Sequence, residues 1–189
     1  TLQLMFTGIR PILMNNGRMV DPLDPIVMSL KELTSIRGKK MTEATRLQID
    51  RLKWEGGLYF DDEMGPIIPA DNIERCLQLG GQKSKIGKDI QASVFCSEPQ
   101  YKLEYKGPRD IEGLYAQKFF LRRPVKIGTA KIMSVRPMFP TGWSLTVTFD
   151  YDESVIDAKS ILKAAEDAGR KIGLGDWRPK FGTFLVERA

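Results

Sequence analysis

The chain has no histidine among its 189 residues. That absence removes the usual proton carrier of serine and cysteine hydrolases and of histidine-dependent nucleases, together with the nitrogen ligand of the common zinc enzymes. Any catalysis falls to carboxylates with a hard metal, to lysine or to tyrosine. Cysteine is scarce as well. Cys76 and Cys96 are the only two, too few and too far apart for a metal site or a disulfide framework. No apolar run approaches the roughly 20 residues that a bilayer-spanning helix needs, and the first segment carries neither a basic leader nor a cleavage-like site. The expectation is a cytoplasmic protein with no membrane contact and no cofactor. Internal repeats and low-complexity tracts are missing too.

What remains is an ordinary globular composition, 42% hydrophobic and 28% charged. A chain of this length buries about 70% of its unfolded surface and folds without covalent staples. Net charge is +5 and the isoelectric point is near 9.2, an excess that permits nucleic-acid binding without demanding it. The excess is unevenly placed. Lys83, Lys85 and Lys88 form one basic cluster and Arg122, Arg123 and Lys126 another, whereas Asp61, Asp62 and Glu63, and Asp150, Asp152 and Glu153, collect the acids. Three adjacent acids mark a solvated turn more readily than a metal site, because consecutive side chains seldom converge on one centre.

Leu2, Leu4 and Phe6 alternate with polar neighbours and predict a first strand running toward Ile12, broken by Asn15, Asn16 and Gly17. Asp24 followed by Pro25 is an N-cap and N1 pair. It opens a helix that ends near Gly38, and a second helix follows from Glu43 to Trp54. Gly56 and Gly57 close the resulting helical hairpin. Pro66 and Pro69 predict a loop, after which Asp71 caps a short helix ending at Gly80 and Gly81. Ile90, Ala92 and Val94 alternate as a strand. Residues 97–124 read as an irregular excursion with a short helix over Leu114 to Phe120, and Ile127 to Arg136 as a strand. Trp143, Leu145, Val147 and Phe149 form a clean period-two strand. Asp157 then caps a helix with Ile161, Ala165, Ala168 and Ile172 on one stripe, and Thr183 to Glu187 is the closing strand. The order predicts an α+β protein with a ferredoxin-like (RRM-like) split β-α-β core. It forms a single domain over residues 1–189, with insertions at 21–57 and 97–124.

The candidate site lies between the last helix and the last strand. Gly173, Gly175 and Gly182 tolerate positive φ and close backbone approach, and Trp177, Arg178, Lys180 and Phe181 stand between them. Such a loop suits a surface that follows phosphates and stacks on bases. The same residues also serve as a helix C-cap and a packed turn. Arg10 and Arg18 flank the loop that leaves the first strand and extend the basic surface, and Lys83, Lys85 and Lys88 add non-specific phosphate attraction. Asp21 and Asp24 are the carboxylates open to metal-assisted cleavage, although a turn at Asp21-Pro22 and a helix start at Asp24-Pro25 account for both.

Two stretches resemble a known family. Ile68, Pro69, Ala70, Asp71, Asn72, Ile73, Glu74, Arg75 and Cys76 form a proline-led approach to a helix, and GLGDWRPKFGTF (residues 173–184) is a glycine-rich loop before a final strand. Both resemble the RAMP superfamily, in particular the backbone subunits of CRISPR effector complexes. Asp71, Asn72, Glu74 and Asp176 depart from the family pattern, and a carboxylate at 176 weakens phosphate affinity there, leaving Arg178 and Lys180 to compensate. The resemblance implies a ferredoxin-like palm that grips single-stranded RNA, with the helical hairpin and the excursion as insertions. It also implies self-association or assembly with related subunits, head to tail along the strand. The leading expectation is a non-enzymatic protein that binds single-stranded RNA or DNA, RNA favoured. The alternatives are an assembly or regulatory protein that binds a protein partner, and a metal-dependent ribonuclease using Asp21 or Asp24.

Overall fold

A computed structural model describes residues 1–189 apart from the side chains of Ile127 and Ala130. It is a mixed α+β fold. The strands are β1 (Leu2–Gly8), β2 (Ile12–Leu13), β3 (Phe60–Asp61), β4 (Gly65–Pro69), β5 (Val94–Cys96), β6 (Gln100–Lys102), β7 (Phe120–Ile127), β8 (Ala130–Phe139), β9 (Ser144–Tyr151) and β10 (Phe184–Arg188). The helices are α1 (Pro25–Ser35), α2 (Glu43–Gly57), α3 (Ala70–Gln82), α4 (Gly87–Ser93), α5 (Ile111–Ala116) and α6 (Ala158–Lys171). They divide into two compact units. The first comprises Thr1–Leu13, Phe60–Gly107 and Phe139–Ala189, the second Met14–Tyr59 and Pro108–Met138. The second unit holds the expected helical hairpin whole and the expected excursion only in part.

The first unit is built on an antiparallel four-stranded sheet of order β10-β1-β9-β5. Alternation makes the sheet one-sided. Leu2, Leu4 and Phe6 on β1 and Leu145, Val147 and Phe149 on β9 are buried, and each contributes about 1.5–3 kcal/mol through burial. The register sets Leu4 against Val147 and Phe6 against Leu145. Phe6 stacks on Phe184 at 4.6 Å between ring centroids, and Trp143 meets the same ring edge-on at 6.0 Å. Helices α3 and α6 pack on each other, and α6 lies against β1 and β10. A Cβ at Gly80 would overlap the Ala164 carbonyl and Ala168, so glycine permits that helix contact. Asp157 caps α6 by accepting the Ser160 N–H at 2.7 Å, and its apolar stripe of Ile161, Ala164, Ala165 and Ala168 is buried.

Four segments differ from the sequence reading. Helix α3 begins at Ala70 with Pro69 as its N-cap and Asp71 inside its first turn, so Asp71 does not cap it. The segment around Ile90 is helix α4, with strand only at Val94–Cys96. Ile90 and Val94 are both buried, and their spacing of four fits one helical face as well as it fits alternation. Pro66 and Pro69 lie in strand β4, which pairs with β3 and β6 in a small antiparallel sheet. The Pro66 carbonyl still accepts from the Leu103 N–H at 3.0 Å. Residues 120–127 are strand β7, and the preceding helix α5 is shorter and earlier than Leu114 to Phe120 because Asp110 caps it through the Gly113 N–H.

The second unit packs α1 on α2 and closes β7 against β8 as a hairpin of the third sheet, with Phe120 opposite Pro137. Its centre is Trp54, fully buried, whose Nε1 donates to the Phe119 carbonyl at 2.9 Å and whose ring tilts against Tyr115. Among the described residues no helix is long and apolar enough to cross a membrane.

Candidate nucleic-acid interface

Helix α6 ends where the N–H groups of Ile172 and Gly173 both donate to the Ala168 carbonyl, at 2.9 and 2.8 Å. Gly173, Gly175 and Gly182 all have positive φ, at 82°, 81° and 73°. Two of them also allow contacts that a side chain would block. A Cβ on Gly175 would overlap the Leu13 carbonyl, and one on Gly182 would overlap the Leu174 carbonyl. The loop is pinned by backbone hydrogen bonds. The Asp176 N–H donates to Leu13 O at 2.8 Å, Gly182 N–H to Pro11 O at 2.8 Å and Leu174 N–H to Gly182 O at 2.8 Å. The C-cap and packed-turn reading therefore holds for the backbone of this loop. It says nothing of the side chains at the tip.

Those side chains are sorted by exposure. Arg178, Pro179 and Lys180 are exposed, while Trp177 and Phe181 are half-buried with ring centroids 6.2 Å apart. Trp177 adopts φ of 52°, a left-handed conformation that costs a non-glycine residue about 1–2 kcal/mol. Arg178 Nη1 reaches the Gly173 carbonyl at 3.4 Å, and exposed Arg10 reaches the Pro179 carbonyl at 3.4 Å. Arg10 thus joins the loop, as the sequence suggests. Among the described residues none of Arg10, Arg178 and Lys180 has a carboxylate within ion-pair distance. Asp176 accepts the Trp177 N–H at 3.0 Å, which ties its carboxylate to the loop backbone.

Beneath the loop lies Cys76. Its Sγ donates to the Gly173 carbonyl at 3.2 Å, and burial pushes the thiol up to about 12 against the opposing pull of the Arg178 charge. Cys96 is likewise raised to about 12, first by burial and then by Glu74. Both thiols are protonated near neutrality and poor nucleophiles. The partners that hold the loop, the carbonyls of Pro11 and Leu13 and the Cys76 thiol, are absent from the sequence reading. Backbone carbonyls carry no residue-type signal, and only the apolar register of α3 marks Cys76 as inward-facing.

The remaining predicted residues lie elsewhere. Helix α3 runs antiparallel to α6, since Cys76 meets Gly173 while Gly80 meets Ala164 and Ala168. Lys83 is seven residues beyond Cys76, so it lies about 10 Å farther along the helix, away from the loop. The chain turns back at Lys85, which has a positive φ, and Lys85 and Lys88 line a shallow groove with Gln78, Gln82 and Gln91. Arg18, Asp21 and Asp24 belong to the second unit. Asp24 caps α1 by accepting the Ile26 N–H at 2.9 Å and pairs with Arg18 at 2.7 Å. The Arg18 hydrogen bond is the largest influence holding the Asp24 carboxyl below the usual carboxylate range. Asp21 accepts the Leu23 N–H at 2.9 Å. Both acids thus have structural roles, and the described residues contain no group of three or more acids or thiols placed to hold a metal ion.

No protein-family model matches the chain, and no curated protein matches it in sequence.

Proposed function

We propose that the first unit is a ferredoxin-like module, related in plan to the RAMP proteins, that binds single-stranded nucleic acid, RNA favoured, without catalysing a reaction. Support for the fold comes from the strand order β10-β1-β9-β5, with α3 falling between β1 and β5 in the chain and α6 between β9 and β10. The observation that carries the function is the tip of the glycine loop. A backbone pinned on both sides presents Arg178 and Lys180, with Arg10 alongside, and flanks them with two aromatic rings. Unpaired cations follow the phosphate backbone and the rings offer stacking surfaces for bases.

The test is a fluorescence-polarisation titration with labelled oligouridylate and oligothymidylate at about 50 and about 200 mM salt. Three phosphate contacts predict a log–log salt slope of about −2. The Arg178→Ala/Lys180→Ala variant is expected to bind more weakly and with a shallower slope, by about 1.4. Tighter binding of oligouridylate supports the RNA preference. Absence of binding to either strand at the lower salt overturns the proposal.

A further inference from the structure

Helix α2 and the β7–β8 hairpin of the second unit border a groove of about 380 Å³. Its two walls follow from the periods of helix and strand. Arg46, Ile49, Asp50 and Lys53 line one side, and their spacing of i, i+3, i+4 and i+7 is one face of α2. Arg122 and Met133 line the other. The hairpin register sets Arg122 against Val135 and Pro124 against Met133, so Arg122 and Met133 share a sheet face. That face is turned toward α2, because the Arg122 Nε donates to the Asp50 Oδ2 at 2.8 Å. Met41, from the connector between α1 and α2, lines the groove as well.

The lining combines an apolar floor with an excess of positive charge. Ile49 is buried, and Met41 and Met133 are half-buried. Asp50 is the one carboxylate among the lining residues and is already paired with Arg122. Exposed Arg46 and half-buried Lys53 form no ion pair among the described residues. The surroundings have the same sign. On the sheet face that carries Arg122 and Met133, Lys126 stands directly opposite Lys131, a like-charge pair that is destabilising until an anion approaches. Arg37, Lys39 and Lys40 are exposed on the connector that leads to Met41, with Glu32 and Glu43 the acids before and after them in the chain. A cleft with apolar walls and charge of one sign focuses its field into the opening.

We infer that this groove binds a small phosphate monoester carried on an apolar or aromatic body. The body rests on Met41, Ile49 and Met133, and the phosphate takes hydrogen bonds from the Arg46 guanidinium and the Lys53 ammonium. Charge selects the phosphate. Its value of about −1.5 to −2 near neutrality matches the two unpaired cations, and a guanidinium can engage two of its oxygens at once. Arg46 and Lys53 stem from points about 10 Å apart along the helix, a gap that two long side chains close onto one tetrahedral group. The volume lies within the usual range of about 300–1,000 Å³ for small-molecule pockets, toward its lower end, which fits one ring with its phosphate. Asp50 opposes the anion, and the Arg122 charge beside it cancels most of that opposition.

The test uses protein labelled with ¹³C at its eight methionine methyl groups, titrated with phenyl phosphate, benzoate and neutral benzyl alcohol. Met41→Leu and Met133→Leu assign the two reporting signals. Saturable shifts at Met41 and Met133 are expected with phenyl phosphate, which binds about fivefold or more tightly than benzoate, and none with benzyl alcohol up to about 10 mM. Arg46→Gln and Lys53→Met each weaken phenyl phosphate binding about tenfold, and Lys53→Arg retains most of the affinity. Asp50→Asn tightens it about threefold, a gain that loss of folding cannot produce. Absence of saturable shifts with phenyl phosphate up to about 10 mM, equal affinity for benzoate, or unchanged affinity in both Arg46→Gln and Lys53→Met overturns the inference. Tighter binding of oligouridylate at the same two methyl groups assigns the groove to a nucleic-acid strand and overturns it too.

Discussion

Two sets of cations, one in each unit, are held differently. In the second, Arg18 pairs with Asp24, Arg51 with Glu112 and Arg122 with Asp50. In the first, Arg10 and Arg178 reach only backbone carbonyls, and Lys180 stands at the exposed tip of the glycine loop. An arginine beside a carboxylate has its field largely cancelled at the distance of a phosphate, so its net attraction is small. A cation held by a neutral carbonyl keeps its field. The net charge of +5 therefore says less about ligands than the distribution of carboxylates around each cation.

The largest expected effect tests whether the loop backbone is as tightly specified as its hydrogen bonds imply. Gly182→Ala forces a Cβ onto the Leu174 carbonyl at a φ of 73°, and a loss of about 3 kcal/mol or more in the first unit is expected. Gly17→Ala in the second unit meets open space, and a change within about 0.5 kcal/mol is expected. Hydrogen exchange resolved by unit is the appropriate measurement, because a protein of two units need not unfold in one step. Equal effects of the two substitutions would contradict the packing described for the loop.

Next in size is the contrast in binding. Arg178→Ala/Lys180→Ala is expected to weaken oligouridylate binding by about tenfold or more at low salt, and Arg51→Ala/Arg122→Ala by less than about twofold. Polarisation titrations on the two variants measure the difference directly. If the second pair lost as much affinity as the first, the loop would not be the centre of the interface.

Smaller effects concern two acids, one in each unit. Asp24 and Asp167 are 11% and 7% exposed at the side chain, and both carboxyls are held below the usual range. The first cause is the Arg18 hydrogen bond for Asp24 and the Lys171 hydrogen bond for Asp167. A depressed folded-state pKa contributes stability that is present above the unfolded value near 3.9 and is lost as pH falls through the folded value. Exchange protection in both units is therefore expected to decline below about pH 4. Asp24→Asn should flatten that decline in the second unit alone, and Asp24→Ala should cost about 1 kcal/mol at neutral pH through loss of the cap. A decline unchanged by Asp24→Asn would assign it to other groups.

The smallest effect is at the surface. A double-mutant cycle on Arg122 and Asp50, read by chemical denaturation, is expected to give a coupling of about 0.2–1 kcal/mol, since Arg122 is 52% exposed at the side chain. A larger value would show that these pairs help to specify the second unit rather than simply occupying its arginines.

Legibility in the sequence followed the range of the interaction. The Asp24 and Asp157 caps, the alternation of β9 and the stripe of α6 depend on neighbours within a few residues, and each appears where the sequence places it. The helix at Ile90 and the strand at Pro66 do not, because spacing alone left Ile90 and Val94 ambiguous and β4 draws its pairing from β3 and β6. The glycine loop is legible as a loop, and its basic and aromatic residues are legible as candidates. Its support by Pro11, Leu13 and Cys76, and the position of Lys83 away from it, are not.

The sequence by itself determined which chemistry was open to this protein. Without histidine and with few thiols, its site had to be built from cations, aromatics and backbone, and its local periodicities and caps set most of the elements. Only the tertiary structure decided which cations stand without a carboxylate and which hydroxyls, those of Ser134 and Thr183, are buried without a partner. Both depend on residues far apart in the chain, as when Asp176 meets Leu13 across 163 positions, or Arg122 meets Asp50 across 72. Local sequence determines the donors and acceptors of a segment, but the long-range fold determines which of them meet.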